Sequence, residues 1–133
     1  MKSKKIINII SVLLIIFSIL LISWKIYSNS CKYTSIQVDK KFINVGLIRP
    51  DSLIYIRLEI NNTGKRNLII ERVDAGCKCT NITLNDTLLE SGQKTYLEIE
   101  YSPEIVGFFK KDIFIYANVK PSPLLITIIG EKK

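Results

Sequence analysis

The chain contains no histidine, and that absence alone removes most familiar enzyme chemistry. Without imidazole there is no ordinary general base near neutral pH, no Ser-His or Cys-His nucleophile pair, and the commonest zinc ligand is missing. Arginine stands only at Arg49, Arg57, Arg66 and Arg72, scattered and without the aromatic interleaving of a base-stacking surface, so no nucleic-acid partner is expected. No segment after Trp24 carries apolar residues at helical period, which argues against a helical domain. The chain therefore reads as non-enzymatic, with no cofactor implied.

With 133 residues there is room for one domain and an anchor. The formal charge is +7, but Lys2, Lys4 and Lys5 supply three of those charges from the N-terminal tip, leaving +4 on the remainder. So mild an excess serves solubility.

From Ile6 to Trp24 the sequence has no charged residue, and a helix of that length spans roughly the ~30 Å hydrocarbon core of a bilayer. Lysines precede the run and Lys25 alone follows closely, so the positive-inside bias leaves the N-terminus cytoplasmic and exports the rest. Trp24 and Tyr27 stand where an interfacial aromatic belt would lie. Three fates are open. An uncleaved signal anchor is favoured by the length of the run. Cleavage after Ser30 fits the small-x-small triplet Ser28-Asn29-Ser30. Lipidation at Cys31 fits a loose lipobox, Tyr27-Ser28-Asn29-Ser30-Cys31, which lacks the aliphatic residue three positions ahead of the cysteine. All three place the C-terminal part outside the cytoplasm. The expected organisation is a cytoplasmic tip over 1–5, a transmembrane anchor over 6–24, a juxtamembrane spacer over 25–41, with Tyr33, Ile36 and Val38 as spacer or first edge strand, and a folded domain over 42–133. The location is then the inner membrane, crossed once, with the domain periplasmic.

The exported part is a succession of strands. Phe42 to Gly46 reads as a short strand closed by glycine, and Arg49-Pro50-Asp51-Ser52 as a turn. Ile54, Ile56, Leu58 and Ile60 alternate with Tyr55, Arg57 and Glu59, as a half-buried strand requires. The loop Asn61 to Asn67 follows, where Asn and Gly are able to take positive φ. Leu68 and Ile70 resume an inward face, but Val73 is out of phase, which calls for a bulge just before the cysteines. Asn81 to Leu84, the alternating Leu97, Ile99 and Tyr101, Phe108 to Ala117 with Phe109, Ile113 and Ile115 on one face, and Leu124 to Ile129 closed by Gly130 complete the set. Seven or so short strands in about 100 residues predict an all-β fold, an immunoglobulin-like antiparallel β-sandwich.

The order of motifs is specific in combination. Phe42 with Gly46, Ile60, Asn62-Thr63-Gly64, Leu68, Ile70, Val73, Cys77-x-Cys79-Thr80, Ser91-Gly92, Leu97-x-Ile99-x-Tyr101, Pro103, Gly107, Phe109, Lys111, Asn118 and Ile126-x-Ile128-x-Gly130 together resemble bacterial envelope proteins of domain-of-unknown-function family 1573. That family is related in fold to immunoglobulin-like domains of cilia and centrosome proteins. The resemblance spans roughly Phe42 to Gly130 and implies a secreted or membrane-tethered sandwich, common in Bacteroidetes-like genomes, with no known enzymatic activity. The family usually has glycine between the cysteines, where this chain has Lys78.

Cys77 and Cys79 are the one place where chemistry is expected. Residues i and i+2 of an extended segment point to the same side. The plainer reading makes them small buried residues or a structural disulfide of an exported domain. The sharper reading is a redox pair or a Cu(I) site, since Cu(I) accepts two soft ligands. Zinc is less suited, because only Asp74 is near to add to the two thiols. In a fully extended C-x-C the Cα atoms lie about 6.6 Å apart, near the upper limit for a disulfide, so a bond needs a bent backbone. Gly76 makes such bending feasible. Elsewhere the bland readings prevail: Glu98 and Glu100 as one solvated strand face, Lys110-Lys111 as charges that discourage edge pairing, Tyr55 and Tyr116 as cross-strand packing. Asp51-Ser52-Leu53 and Asp86-Thr87-Leu88 resemble short O-glycan acceptors, a pattern that recurs by chance. The leading expectation is an interaction or scaffold module that binds another envelope protein; an accessory thiol or copper protein acting through Cys77 and Cys79 is the alternative, and a lipoprotein anchored at Cys31 a third.

Overall fold

A computed structural model describes residues 2–30, 32–77 and 79–133. The chain divides into two compact units, Met1–Lys32 and Tyr33–Lys133.

The first unit is one helix, α1 (Lys2–Ser30). The span contains neither glycine nor proline, so nothing in it breaks the i to i−4 ladder. Its stretch Ile6–Tyr27 is long and apolar enough to cross a membrane, by length and composition that suit an anchor and a signal sequence alike. The helix outruns the apolar stretch from which it was predicted, because the flanking polar residues are also adequate helix formers. The expected lipidation at Cys31 lies outside the described residues.

The second unit is a β-sandwich. One sheet has the order β1 (Ile36–Val38), β3 (Ile54–Asn62), β7 (Lys94–Tyr101), β5 (Thr80–Leu84). The other has the order β2 (Phe42–Ile48), β9 (Leu124–Lys132), β8 (Gly107–Ala117), β4 (Leu68–Asp74), β6 (Leu88–Leu89). Alternation builds the core: Leu58, Ile60, Leu97 and Ile99 from one sheet meet Leu68, Phe109, Ile113, Ile115, Ile126 and Ile128 from the other, all almost fully buried. The all-β immunoglobulin-like fold is therefore as expected.

Three details differ from the sequence-based expectation. The sandwich is not wholly antiparallel, because β2 runs parallel to β9; the chain changes sheets between Val38 and Phe42 and lays β2 along the open edge of the last strand. Of the two readings of Ile36 and Val38, the edge strand holds: Ile36–Val38 pairs with Val38↔Ile60 and Ile36↔Asn62 registers and Val38 is buried. Gly46 does not close β2 but sits at a register shift between Asn44 and Leu47, with φ 68° and its N–H donating to Asn44 Oδ1 at 2.9 Å. Gly130 likewise lies inside β9 rather than at its end.

The bulge expected before the cysteines is present. Ile70 pairs with Ala117 and Arg72 with Tyr116, so Glu71 is the extra residue. The shift returns Val73 to a partly buried position packed on the core, two residues before the chain leaves the sheet.

Candidate functional site

The segment that carries the cysteines is the crossover from β4 to β5, from one sheet to the other. Asp74 Oδ1 accepts a hydrogen bond from the Gly76 N–H at 2.8 Å, and Gly76 takes φ 66°, a left-handed conformation that costs glycine nothing. The backbone turns there. Cys77 and Cys79 are joined in a disulfide with Cα atoms 5.4 Å apart, well short of the extended distance. The Ser102 N–H donates to the Cys79 carbonyl oxygen at 3.3 Å, fastening the segment to the end of β7, and Thr80 then pairs with Tyr101 as β5 begins.

The two sulfurs differ. Cys77 is exposed, whereas Cys79 is half-buried and packs against the core. Thr80 Oγ1 lies 3.7 Å from Cys77 Sγ and 3.9 Å from Cys79 Sγ. The Lys111 ammonium donates to Cys77 Sγ at 2.8 Å and lies 4.0 Å from Cys79 Sγ. It also stands 5.8 Å above the Tyr101 ring, which meets Phe109 edge to face with centroids 5.6 Å apart.

Burial pushes the Lys111 pKa below the ordinary lysine value, an effect opposed by the carboxylates of Asp74, Asp112 and Glu104. None of those carboxylates comes within ion-pair distance, and among the described residues Lys111 has no salt bridge. Burial raises the Tyr101 phenol, with Glu104 adding to it.

Lys111 is the functional candidate that the sequence reading passed over. Lys110-Lys111 was expected to guard a sheet edge, yet β8 is the central strand of its sheet, flanked by β9 and β4. Lys110 does point outward, to Asp112 at 3.1 Å. Lys111 is in phase with Phe109 and Ile113 and so is only partly exposed on the inner side. That phase was the available signal: a lysine on the apolar beat of a strand needs a reason to be there.

The remaining candidates are dispersed. Glu98 pairs with Arg57 across strands at 3.7 Å, and Glu100 accepts from the Tyr55 hydroxyl, so they do not form an acid pair. Tyr116 lies under the Arg72 guanidinium at 3.9 Å. Ser52 closes a turn by donating its N–H to the Arg49 carbonyl oxygen at 3.1 Å, and Thr87 lies at a bend. Among the described residues no group of three or more His, Cys, Asp or Glu could hold a metal ion, and the bonded sulfurs offer no thiolate to Cu(I) in this form.

The disulfide occupies one pole of the sandwich, where β3 and β8 begin and β4 and β7 end. The exposed Ile105 and Val106 stand at this pole in the connection from β7 to β8. The chain joins the sandwich at the other pole, where Thr34 bridges to Val119.

Comparison with solved structures finds the same fold. A protein of unknown function from Porphyromonas gingivalis W83 matches with TM-score 0.65 at 20% identity over 75% of this chain and 47% of that one. The ASH/PapD-like domain 7 of human CEP192 matches with TM-score 0.58 at 16% identity, over 77% of this chain and 87% of that domain. The Vibrio cholerae protease VesB matches with TM-score 0.56 at 10% identity, over 82% of this chain but 34% of that one. This chain thus spans about half the length of the Porphyromonas protein and a third of the protease. No curated protein matches. A family profile does, over residues 36–132, nearly the whole sandwich, and the chain belongs to the family described as Protein of unknown function (DUF1573).

Proposed function

We propose that this protein is a non-enzymatic interaction module of the cell envelope, held at the inner membrane by α1 with its sandwich on the periplasmic side, where it binds another envelope protein. The observation that carries this reading is the open edge of the second sheet: β2 leaves Phe42 and Leu47 exposed, with Phe108 exposed two strands away. An unpaired strand edge bearing apolar side chains suits recognition by strand addition. The run Ile6–Tyr27 and the lysines before it supply the anchor and its orientation.

The test uses the full chain in its host membranes. It should resist alkaline extraction, and the sandwich should be digested by protease added to spheroplasts but protected in intact cells. A photo-crosslinking residue at Leu47 should capture one discrete envelope protein, while the same residue at Glu98 on the face of the other sheet should not. Recovery in the cytoplasmic fraction, or equal capture at both positions, overturns the reading.

A further inference from the structure

We propose that the Cys77–Cys79 disulfide is a dithiol–disulfide exchange centre that takes two electrons from a dithiol of a partner protein, with Cys77 as the sulfur attacked and Lys111 as the group that holds its thiolate. This goes beyond the binding role above, and either can fail without the other.

A bond that closes a loop of only three residues restricts the unfolded chain far less than one joining distant strands, so this disulfide is a poor staple. Its surroundings point to chemistry instead. Lys111 stands on the inner beat of a central strand, partly desolvated and without a carboxylate in ion-pair reach among the described residues. In the oxidised form its nearest acceptor is a disulfide sulfur, which accepts weakly. Reduction turns that sulfur into a thiolate at 2.8 Å, a full counter-charge. The lysine thereby favours the reduced form, and a disulfide whose reduced form is stabilised is a stronger oxidant. Among the described residues the other charged or titratable groups near it are Asp74 at the end of β4, Asp112 on β8, Glu104 after β7, and Tyr101 on β7; the three carboxylates oppose a thiolate, and of these described charged groups it is Lys111 that touches the sulfurs.

The asymmetry of the pair sets the order of events. A partner thiolate attacks the exposed Cys77 Sγ; the Cys77–Cys79 bond breaks, and its electron pair leaves on Cys79 Sγ, which takes a proton. The partner's second thiolate then attacks the partner sulfur of the mixed disulfide. The bond to Cys77 breaks, and the electron pair comes to Cys77 Sγ beside the Lys111 ammonium. The partner dithiol ends as a disulfide, the pair ends as a Cys79 thiol and a Cys77 thiolate, and one proton goes to solvent.

The experiment takes the full chain in detergent micelles. After reduction, iodoacetamide alkylation of each cysteine is followed against pH by mass spectrometry, and the oxidised protein is equilibrated in glutathione buffers. Cys77 should titrate about a unit or more below the ordinary thiol value near 8.5, and Cys79 should not. Lys111→Met should return Cys77 to that value, slow its alkylation at pH 7 about tenfold and make the disulfide about tenfold harder to reduce. Lys111→Arg should preserve the wild-type behaviour, and Lys110→Met should leave it unchanged. Cys79→Ser protein mixed with an oxidised two-cysteine peptide should trap a mixed disulfide at Cys77, whereas Cys77→Ser should trap little at Cys79. The proposal is overturned if both thiols titrate together near the ordinary value, if Lys111→Met matches wild type while Lys111→Arg remains folded, or if the disulfide stays intact throughout the glutathione series.

Discussion

The side chain of Asn62, fully buried at the end of β3, donates from Nδ2 to the Leu89 carbonyl oxygen at 2.9 Å and so ties one sheet to the strand β6 of the other. The same amide nitrogen is within reach of the Arg66 and Glu90 carbonyls at 2.6 and 3.1 Å. Its oxygen accepts from Thr34 Oγ1 and from the Gly64 N–H at 3.0 and 3.1 Å. One side chain thus closes the pole at which the chain joins the sandwich, opposite the disulfide.

Replacing Asn62 by Ala removes all five of these hydrogen bonds, each worth about 0.5–1.5 kcal/mol net, although the Arg66 carbonyl keeps Thr34 Oγ1, the Glu90 carbonyl keeps the Gln93 N–H and the Gly64 N–H keeps the Ser35 carbonyl. Partial access of water at Arg66 and Glu90 reduces the sum. Asn62→Ala should lose about 2–4 kcal/mol, read as a lower urea midpoint for full-length protein in micelles; Asn62→Asp should fail comparably, since a carboxylate cannot donate to the three carbonyls. A loss under about 1 kcal/mol would show that the network is ornamental.

The disulfide should matter less to stability than that amide. For a closed loop of three residues the chain-entropy relation gives about 1.6 kcal/mol, against about 4.7 for a loop of 100 residues. The variant Cys77→Ser/Cys79→Ser should therefore lose no more than about 2 kcal/mol in the same unfolding experiment and keep its near-ultraviolet tyrosine signal. A larger loss would identify a structural staple.

Strand positions and the inward face were legible because period-two alternation is written directly in runs such as Ile54, Ile56, Leu58 and Ile60. The bulge was legible for the same reason, as a break of phase at Val73. Three things were not. The two residues of β6 are too few to show a period. The parallel pairing of β2 with β9 joins residues about 85 apart, beyond any local pattern. The Asn62-Thr63-Gly64 motif has the composition of a positive-φ turn, yet no residue there has positive φ. Asn62 is present for its amide, and Gly64 because a Cβ there would overlap the Thr34 side chain and the Ser35 backbone nitrogen. The cysteine pair stood out by rarity, whereas Lys111 among nineteen basic residues did not.

Gly130, near the end of β9, is coupled by packing to the disulfide pole. A Cβ at this position would stand 2.6 Å from Phe109 Cζ and from Val45 Cγ2, and 2.9 Å from the Gly46 carbonyl oxygen. The ring is able to yield, but the carbonyl is a backbone atom of the irregular step in β2, held on either side by the pairs Asn44↔Ile129 and Leu47↔Glu131. Gly130→Ala should cost about 1–3 kcal/mol as overpacking. Because Phe109 supports Tyr101, and Tyr101 lies under Lys111, the same variant should alter the alkylation rate of Cys77 in reduced protein. Unfolding that matches wild type together with an unchanged rate would separate the two ends of this chain of contacts.

The oxidised protein should reveal Lys111 through pH. Its pKa is lowered in the fold by burial, so at a pH between the lowered value and the ordinary one near 10.4 the unfolded chain binds more protons than the folded one. Stability therefore rises with pH through that window, and the penalty is complete below it, at neutral pH. Lys111→Met has no proton to lose there. The stability of wild type minus that of Lys111→Met should be constant near neutrality and climb as the pH approaches 10.4, with other groups cancelling in the difference. Reduction should change the shape of the difference: it should rise with pH up to the ordinary thiol value near 8.5, because the Cys77 thiolate beside Lys111 sheds its proton earlier in the fold and the Met variant loses that effect, and it should fall above that value, where the thiolate holds the ammonium proton. Urea unfolding of both proteins from pH 7 to 10, with and without a phosphine reductant, measures the two slopes; parallel curves in both redox states would mean that Lys111 does not respond to the sulfur beside it.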